Sequence, residues 1–157
     1  MKILIFILVG LFQNDCFSLK DVAKLLAKDN EETASYVISR GYYLSPQTDQ
    51  RVKSFNNDNK AYPSIAIFYK DAEAKKPIFV ELSVTSENIK DYECFDSALK
   101  RETHKVKTYF DKTQNNYVTK YSNTSIDIYV ITFQNTYGRR VIRCAVCRKG
   151  ESPPLEF

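Results

Sequence analysis

Apolar and polar positions along this chain alternate with two different periods, and the changes of period divide it into elements. Leu19, Val22, Ala23 and Leu26 recur at helical spacing, so a short helix opened by Ser18 or Lys20 is expected to run through residue 28. Asp29-Asn30 interrupts it. Glu32 follows Asp29 by three residues, as in a capping box, and opens a second helix to about Arg40. Gly41 is placed to close that helix in a left-handed conformation. Beyond Gly41 the period falls to two. Residues 42–44 and 51–55 read as strands, and Ile65, Ile67 and Tyr69 alternate with Ala66 and Phe68. Residues 71–76 form a charged loop. Ile78, Val80, Leu82 and Val84 then share one face of a strand, with Phe79, Glu81 and Ser83 opposite.

Helical spacing returns at residues 89–101, where Ile89, Tyr92, Asp96 and Leu99 trace one stripe and Phe95 widens it. A second series of strands follows at 106–110, 117–121, 126–133 and 139–148, separated by polar turns. Residues 31–84 and 86–148 thus repeat one layout, a helix and about four strands. The expected fold is α+β, in tandem helix-plus-antiparallel-meander units with helices packed on one face of the sheet. The other face is then free to meet solvent or a partner. Residues 151–157, with Pro153-Pro154, are expected to form a flexible tail.

The N-terminus has a different pattern. Lys2 precedes an apolar run over residues 3–12, and Ser18 is a small residue at a plausible cut point, the arrangement of a secretory signal peptide. The run falls short of the roughly 20 apolar residues that span a bilayer. Residues 1–18 are expected to be removed, leaving a single domain over 19–150 in a periplasmic or extracellular setting with no transmembrane segment. Cys16 raises the alternative of a lipid anchor. The preceding Gln13-Asn14-Asp15 lacks the Leu and small residues of a lipoprotein signal, which favours cleavage after Ser18.

The formal charge is +4 and stays there without residues 1–18, because that segment carries one cation, Lys2, and one anion, Asp15. The charges are interspersed, which argues against a nucleic-acid partner. Tyr and Phe number 11 and 10, while Gly is scarce at 4, a composition suited to packed sheets. Neither glycine-rich phosphate motif occurs, and no cofactor is expected.

Candidate chemistry is sparse. His104, the single histidine, would have to serve any Ser–His or Cys–His hydrolase, and no G-x-S-x-G accompanies it. Cys144 and Cys147 have C-x-x-C spacing but fall within an apparent strand, so they should point to opposite faces. A zinc site would need about four ligands, and a second such pair is missing; no metal is expected. With oxidising surroundings in view, a Cys94–Cys144 disulfide is the expectation, with Cys147 free. Glu81, Asp91, Glu93, Asp96 and Asp127 supply carboxylates, none singled out by its setting. Tyr109, Tyr117, Tyr121 and Tyr129, with Arg139 and Arg143, concentrate residue types found in protein-interface hot spots and form the expected partner-binding face.

From Cys16-Phe17-Ser18 through Leu19-Lys20-Asp21-Val22 to Tyr36-Val37 and Arg40-Gly41-Tyr42, the chain resembles small exported, largely uncharacterised proteins of Bacteroidetes-type bacteria. The stretch Lys107-Thr108-Tyr109-Phe110-Asp111-Lys112 and Tyr137-Gly138-Arg139 fit the same pattern. The duplicated layout is similar to that of beta-lactamase inhibitory proteins, and the size to that of periplasmic immunity proteins. These resemblances imply a non-catalytic inhibitor or immunity protein whose partner is a toxin or an envelope enzyme. A small periplasmic hydrolase and a structural envelope component are the alternatives.

Overall fold

The structure, a computed structural model, describes residues 18–46, 49–58, 63–85, 89–112 and 115–153; the side chains of 89–92 and 94 lie outside the described set. Its elements in chain order are α1 (Leu19–Ala27), α2 (Asn30–Ser39), β1 (Tyr43–Leu44), β2 (Val52–Asn56), β3 (Ser64–Phe68), β4 (Phe79–Thr85), α3 (Ile89–Glu102), β5 (His104–Asp111), β6 (Asn116–Ser122), β7 (Ile126–Gln134) and β8 (Arg140–Arg148). The protein is a mixed α+β fold with three helices and one eight-stranded antiparallel sheet among the described residues. The strands lie in the order β1-β2-β3-β4-β8-β7-β6-β5, so the last strand of each sequential run meets the other in the middle.

Ser18 starts α1 through a capping box: its Oγ accepts from the Asp21 N–H at 3.2 Å, and its own N–H donates to the Asp21 carboxylate at 3.0 Å. Ser18 therefore belongs to the folded unit, one residue before the expected start of the domain at Leu19. Residues 1–17, which include Cys16 and all of the expected leader except Ser18, lie outside the described residues. The helix buries Leu19, Val22, Leu25 and Leu26, while Ala23 is only partly covered. Leu25 belongs to the apolar face although the spacing argument passed over it, because 3.6 residues per turn carries i+6 close to i+3 and i+7. Each such burial stabilises the fold by about 1.5–3 kcal/mol. Asp29 caps α2, accepting from the Glu32 N–H at 3.0 Å, and Gly41 follows at φ +86°. Asp21 also accepts from the Tyr36 hydroxyl, which joins α1 to α2 through a largely buried carboxylate.

The main core forms where these helices meet the sheet. Leu25, Val37, Phe95 and Leu99 from the helices join Phe55, Ile67, Val80, Leu82, Ile128, Ile142, Cys144 and Val146 from the strands in one buried cluster. The period-two alternation explains this selection: Val80, Leu82 and Val84 pair in register with Val146, Cys144 and Ile142, so their side chains share one face. Arg148, at the end of β8, ties the layers together. Its guanidinium donates to the Leu26 carbonyl at 2.7 Å and to the Pro77 carbonyl at 2.9 Å. A cation is favourable at Leu26, because the last carbonyls of a helix have no partner within it.

The first residues after β8 are tied back to the sheet. Gly150 turns it at φ +83°, its N–H reaches Asp127 Oδ2 at 3.1 Å, and Pro153 is buried. Residues 154–157 lie outside the described residues. No described helix is long and apolar enough to cross a membrane.

Candidate functional site

The second face of the sheet consists of four cross-strand rows. Strand register places Phe68, Phe79, Cys147, Asp127 and Ser122 in the first row. The second holds Ser54, Ala66, Glu81, Ala145, Tyr129, Lys120 and Lys107. The third holds Ser64, Ser83, Arg143, Ile131, Val118 and Tyr109, and the fourth Thr85, Val141 and Phe133. Phe79, Val118, Tyr129, Ile131, Ala145 and Cys147 are buried as a second apolar cluster, with Phe68, Ile78, Tyr109 and Phe133 half-buried at its margin. None of the described helices contributes to it. Phe68 and Phe79 stack with ring centroids 4.0 Å apart.

Cations lie over this aromatic surface. Lys107 Nζ is 4.8 Å from the Tyr109 ring centre, Lys120 Nζ is 5.0 Å from that of Tyr129, and the Arg143 guanidinium is 5.7 Å from that of Phe133. Such contacts hold the stems of these long side chains against the apolar floor.

Two buried carboxylates anchor the arrangement, Asp127 paired with two lysines and Glu81 with one arginine. Asp127 accepts from Lys120 Nζ at 2.8 Å, from Lys149 Nζ at 3.3 Å, from the Gly150 N–H and from the Ser122 hydroxyl. Burial alone would raise its pKa. The hydrogen bonds from Lys120, Ser122 and Gly150 outweigh that and hold the carboxyl well below the usual carboxylate range. The same contact raises the Lys120 ammonium. Glu81 pairs with Arg143, Nε to Oε1, at 2.9 Å. Here burial prevails over the Arg143 contribution, and the Glu81 pKa is raised. Both pairs neutralise charge inside the face.

The expected partner-binding residues do not form one surface. Tyr109 and Arg143 lie at the half-buried margin of the second face, and Tyr129 is in its floor, 5 % exposed. The Tyr129 hydroxyl meets the Glu151 carbonyl at 3.4 Å and Ser152 Oγ at 3.3 Å, so the returning chain covers it. Tyr117 and Tyr121 project to the opposite side. Tyr121 pairs with Ile128 and packs against the main core, while Tyr117 is 66 % exposed and meets Phe110 edge-on at 5.3 Å. The physical reason is parity: 117 and 121 are an even number of residues apart, but both are out of step with Val118, which faces the second cluster. Arg139 is exposed in the turn between β7 and β8.

The cysteines are separated in the same way. Cys144 is in the main core and Cys147 in the second cluster, as strand parity requires. Both are free and buried. The other half of the expected Cys94–Cys144 bridge, the Cys94 side chain, lies outside the described residues. Burial pushes the Cys147 thiol up to about 12 and raises Cys144 strongly as well, which makes both poor nucleophiles as they stand. No group of three or more His, Cys, Asp or Glu suited to a metal occurs among the described residues.

His104 opens the edge strand β5 and is exposed. Its register partner is Ser122, but that hydroxyl is fully buried and donates to Asp127. A Ser–His pair would instead need the hydroxyl proton directed to the imidazole. Sequence reasoning missed Lys107, Lys120 and Phe133 and did not distinguish Glu81 and Asp127 from other carboxylates. One available signal was an acid flanked on both sides by core residues of a strand, as Asp127 is by Ile126 and Ile128. No family model, curated protein or solved structure matches the chain.

Proposed function

We propose that this protein is a non-catalytic, exported binding module that holds another protein against the second face of its sheet. Its most concrete form is an inhibitor or immunity protein that occludes a toxin or an envelope enzyme. The observation that carries this reading is the half-buried aromatic margin around a buried apolar floor of Phe79, Val118, Tyr129 and Ile131, a floor to which no described helix contributes. Phe68, Tyr109 and Phe133 border that floor, and Lys107, Lys120 and Arg143 lie over its rings. An apolar centre with aromatic and arginine anchors and a polar rim is the usual anatomy of a protein interface. Occlusion would then follow from Tyr109, Phe133 and Arg143 seating in the partner's cleft while Tyr129 supports them from beneath.

The duplicated layout supports the same reading. Two runs of helix and four strands, joined through β4 and β8, would give one continuous sheet with its helices on a single side and a broad second side for a partner. Tyr117 and Tyr121 are not part of the proposed face. Calorimetry on the complex tests the assignment. Tyr109→Ala combined with Arg143→Ala should weaken it by about 2 kcal/mol or more, the scale of hot-spot truncation. Unchanged affinity would remove this face from consideration. Mass spectrometry of the protein purified from its host tests export, which an intact Met1 would overturn.

A further inference from the structure

The second face contains a hollow that the partner-binding reading does not use. Row two places Ser54 and Ala66 beside Glu81, and row three places Ser64 beside Ser83. These small side chains leave a space of about 200 Å³ lined by Ser54, Asn56, Ser64, Ala66, Glu81 and Ser83. The Glu81 side chain is 6 % exposed, and among the described residues it is bound on Oε1, which takes the Arg143 Nε bond from the β8 side. Oε2 is buried and has no hydrogen-bond partner among the described residues. A buried acceptor left unmet costs on the order of 1–3 kcal/mol, so such a group in a native fold calls for an explanation.

We propose that this hollow is a binding site for a primary ammonium group, with Glu81 Oε2 as its charged acceptor. The donor sets decide between cations. An ionised carboxylate is acceptor-only, and an ammonium offers three N–H donors and no acceptor. One donor goes to Oε2, and the serine hydroxyls around the hollow can accept the others. A guanidinium is a poorer match, because its planar fork wants both carboxylate oxygens and Arg143 already holds Oε1. A quaternary ammonium has no N–H to give. The volume is below that of most drug-sized sites and suits a short alkyl chain. A free small amine and a lysine side chain present the same chemistry.

The site is independent of the protein-partner reading, since amine binding is measured without any partner. The test is a titration of the uniformly ¹⁵N-labelled protein with n-propylammonium chloride at constant ionic strength. n-Propanol, guanidinium and tetramethylammonium serve as comparators. The expected result is saturable shifts centred on the amides of Ser54, Ala66, Glu81 and Ser83, with a Kd of about 1–10 mM, reasonable for four heavy atoms. Glu81→Gln should weaken the affinity at least tenfold. Ala66→Leu, which fills the hollow but keeps the carboxylate, should do the same, each variant first checked for a native circular dichroism spectrum. Nα-acetyl-lysine methylamide binding within threefold of propylammonium assigns the site to lysine side chains; binding of propylammonium alone assigns it to free amines. Absence of saturable shifts up to 100 mM, equal response to guanidinium, or full affinity in Glu81→Gln would overturn the proposal.

Discussion

Replacing Asp127 with Ala should be among the most damaging single changes on the second face. The carboxylate is 1 % exposed and is met by Lys120, Ser122, Lys149 and the Gly150 N–H. Truncation leaves Ser122, itself fully buried, without this acceptor and releases the turn that brings the chain back over Tyr129. Breaking a buried pair by removing one partner costs about 3–5 kcal/mol. The lower end applies here, because the Lys120 and Lys149 side chains are 20 % and 49 % exposed and can regain water. A loss of about 3 kcal/mol is therefore expected. With a slope of about 2 kcal/mol per molar urea, the midpoint should fall by about 1.5 M at unchanged slope. The readout is urea unfolding followed by far-ultraviolet circular dichroism. Lys149→Ala, which removes only the half-exposed cation, should cost less than about 1 kcal/mol.

Proton linkage provides a second check on the same residue. The folded-state pKa of Asp127 is depressed below 3.8, so its contribution is present above that pH and is lost as the pH falls through the folded value. The stability gap between wild type and Asp127→Ala should be full at pH 7 and narrow below about pH 4. A midpoint change under 0.5 M, or a gap that widens in acid, would refute the reasoning.

Arg148→Met should destabilise by about 2 kcal/mol, because it removes charge-assisted bonds to the Leu26 and Pro77 carbonyls while keeping the apolar stem; equal midpoints in urea would contradict that. With a thiol pKa near 12, Cys147 carries roughly one thiolate in ten thousand at pH 8, so native iodoacetamide labelling followed by peptide mapping should find Cys144 and Cys147 unmodified after an hour and fully modified in guanidinium chloride. Fast native labelling of either would contradict their burial, and a Cys144 peptide still unlabelled in denaturant without reductant would reveal a Cys94–Cys144 disulfide.

The local pattern was readable to a high degree because each element is specified by neighbours close in sequence. Asp29, Glu32 and Gly41 bracket α2, and the alternation of Val80, Leu82 and Val84 marks β4, whose Val80 and Leu82 face the main core, whereas Ile78 precedes the strand and packs on the second cluster. Strand parity also predicted the separation of Cys144 from Cys147. The same rule, applied to Tyr117 and Tyr121 against Val118, would have kept them off the Tyr109 side. The cations that pair with Glu81 and Asp127 were not legible, because they come from outside the acids' own strands: Arg143 is 62 positions along the chain from Glu81, and Lys120 and Lys149 are 7 and 22 from Asp127. The hollow beside Glu81 depends likewise on Ser54 and Ala66 lining up in register, a long-range fact that residue types do not encode. The anchoring of residues 149–153 needed the Gly150 turn to meet Asp127, and a Gly followed by two prolines reads locally as a loose end.

The most direct test of the second face as a docking surface compares its two sides. Wild type, Tyr109→Ala/Phe133→Ala and the opposite-side control Tyr117→Ala/Tyr121→Ala would each be immobilised and used to capture protein from extracts of the native host. A stoichiometric partner should be held by wild type and by the opposite-side control and lost by Tyr109→Ala/Phe133→Ala. A partner kept by Tyr109→Ala/Phe133→Ala and lost by the control would contradict that expectation.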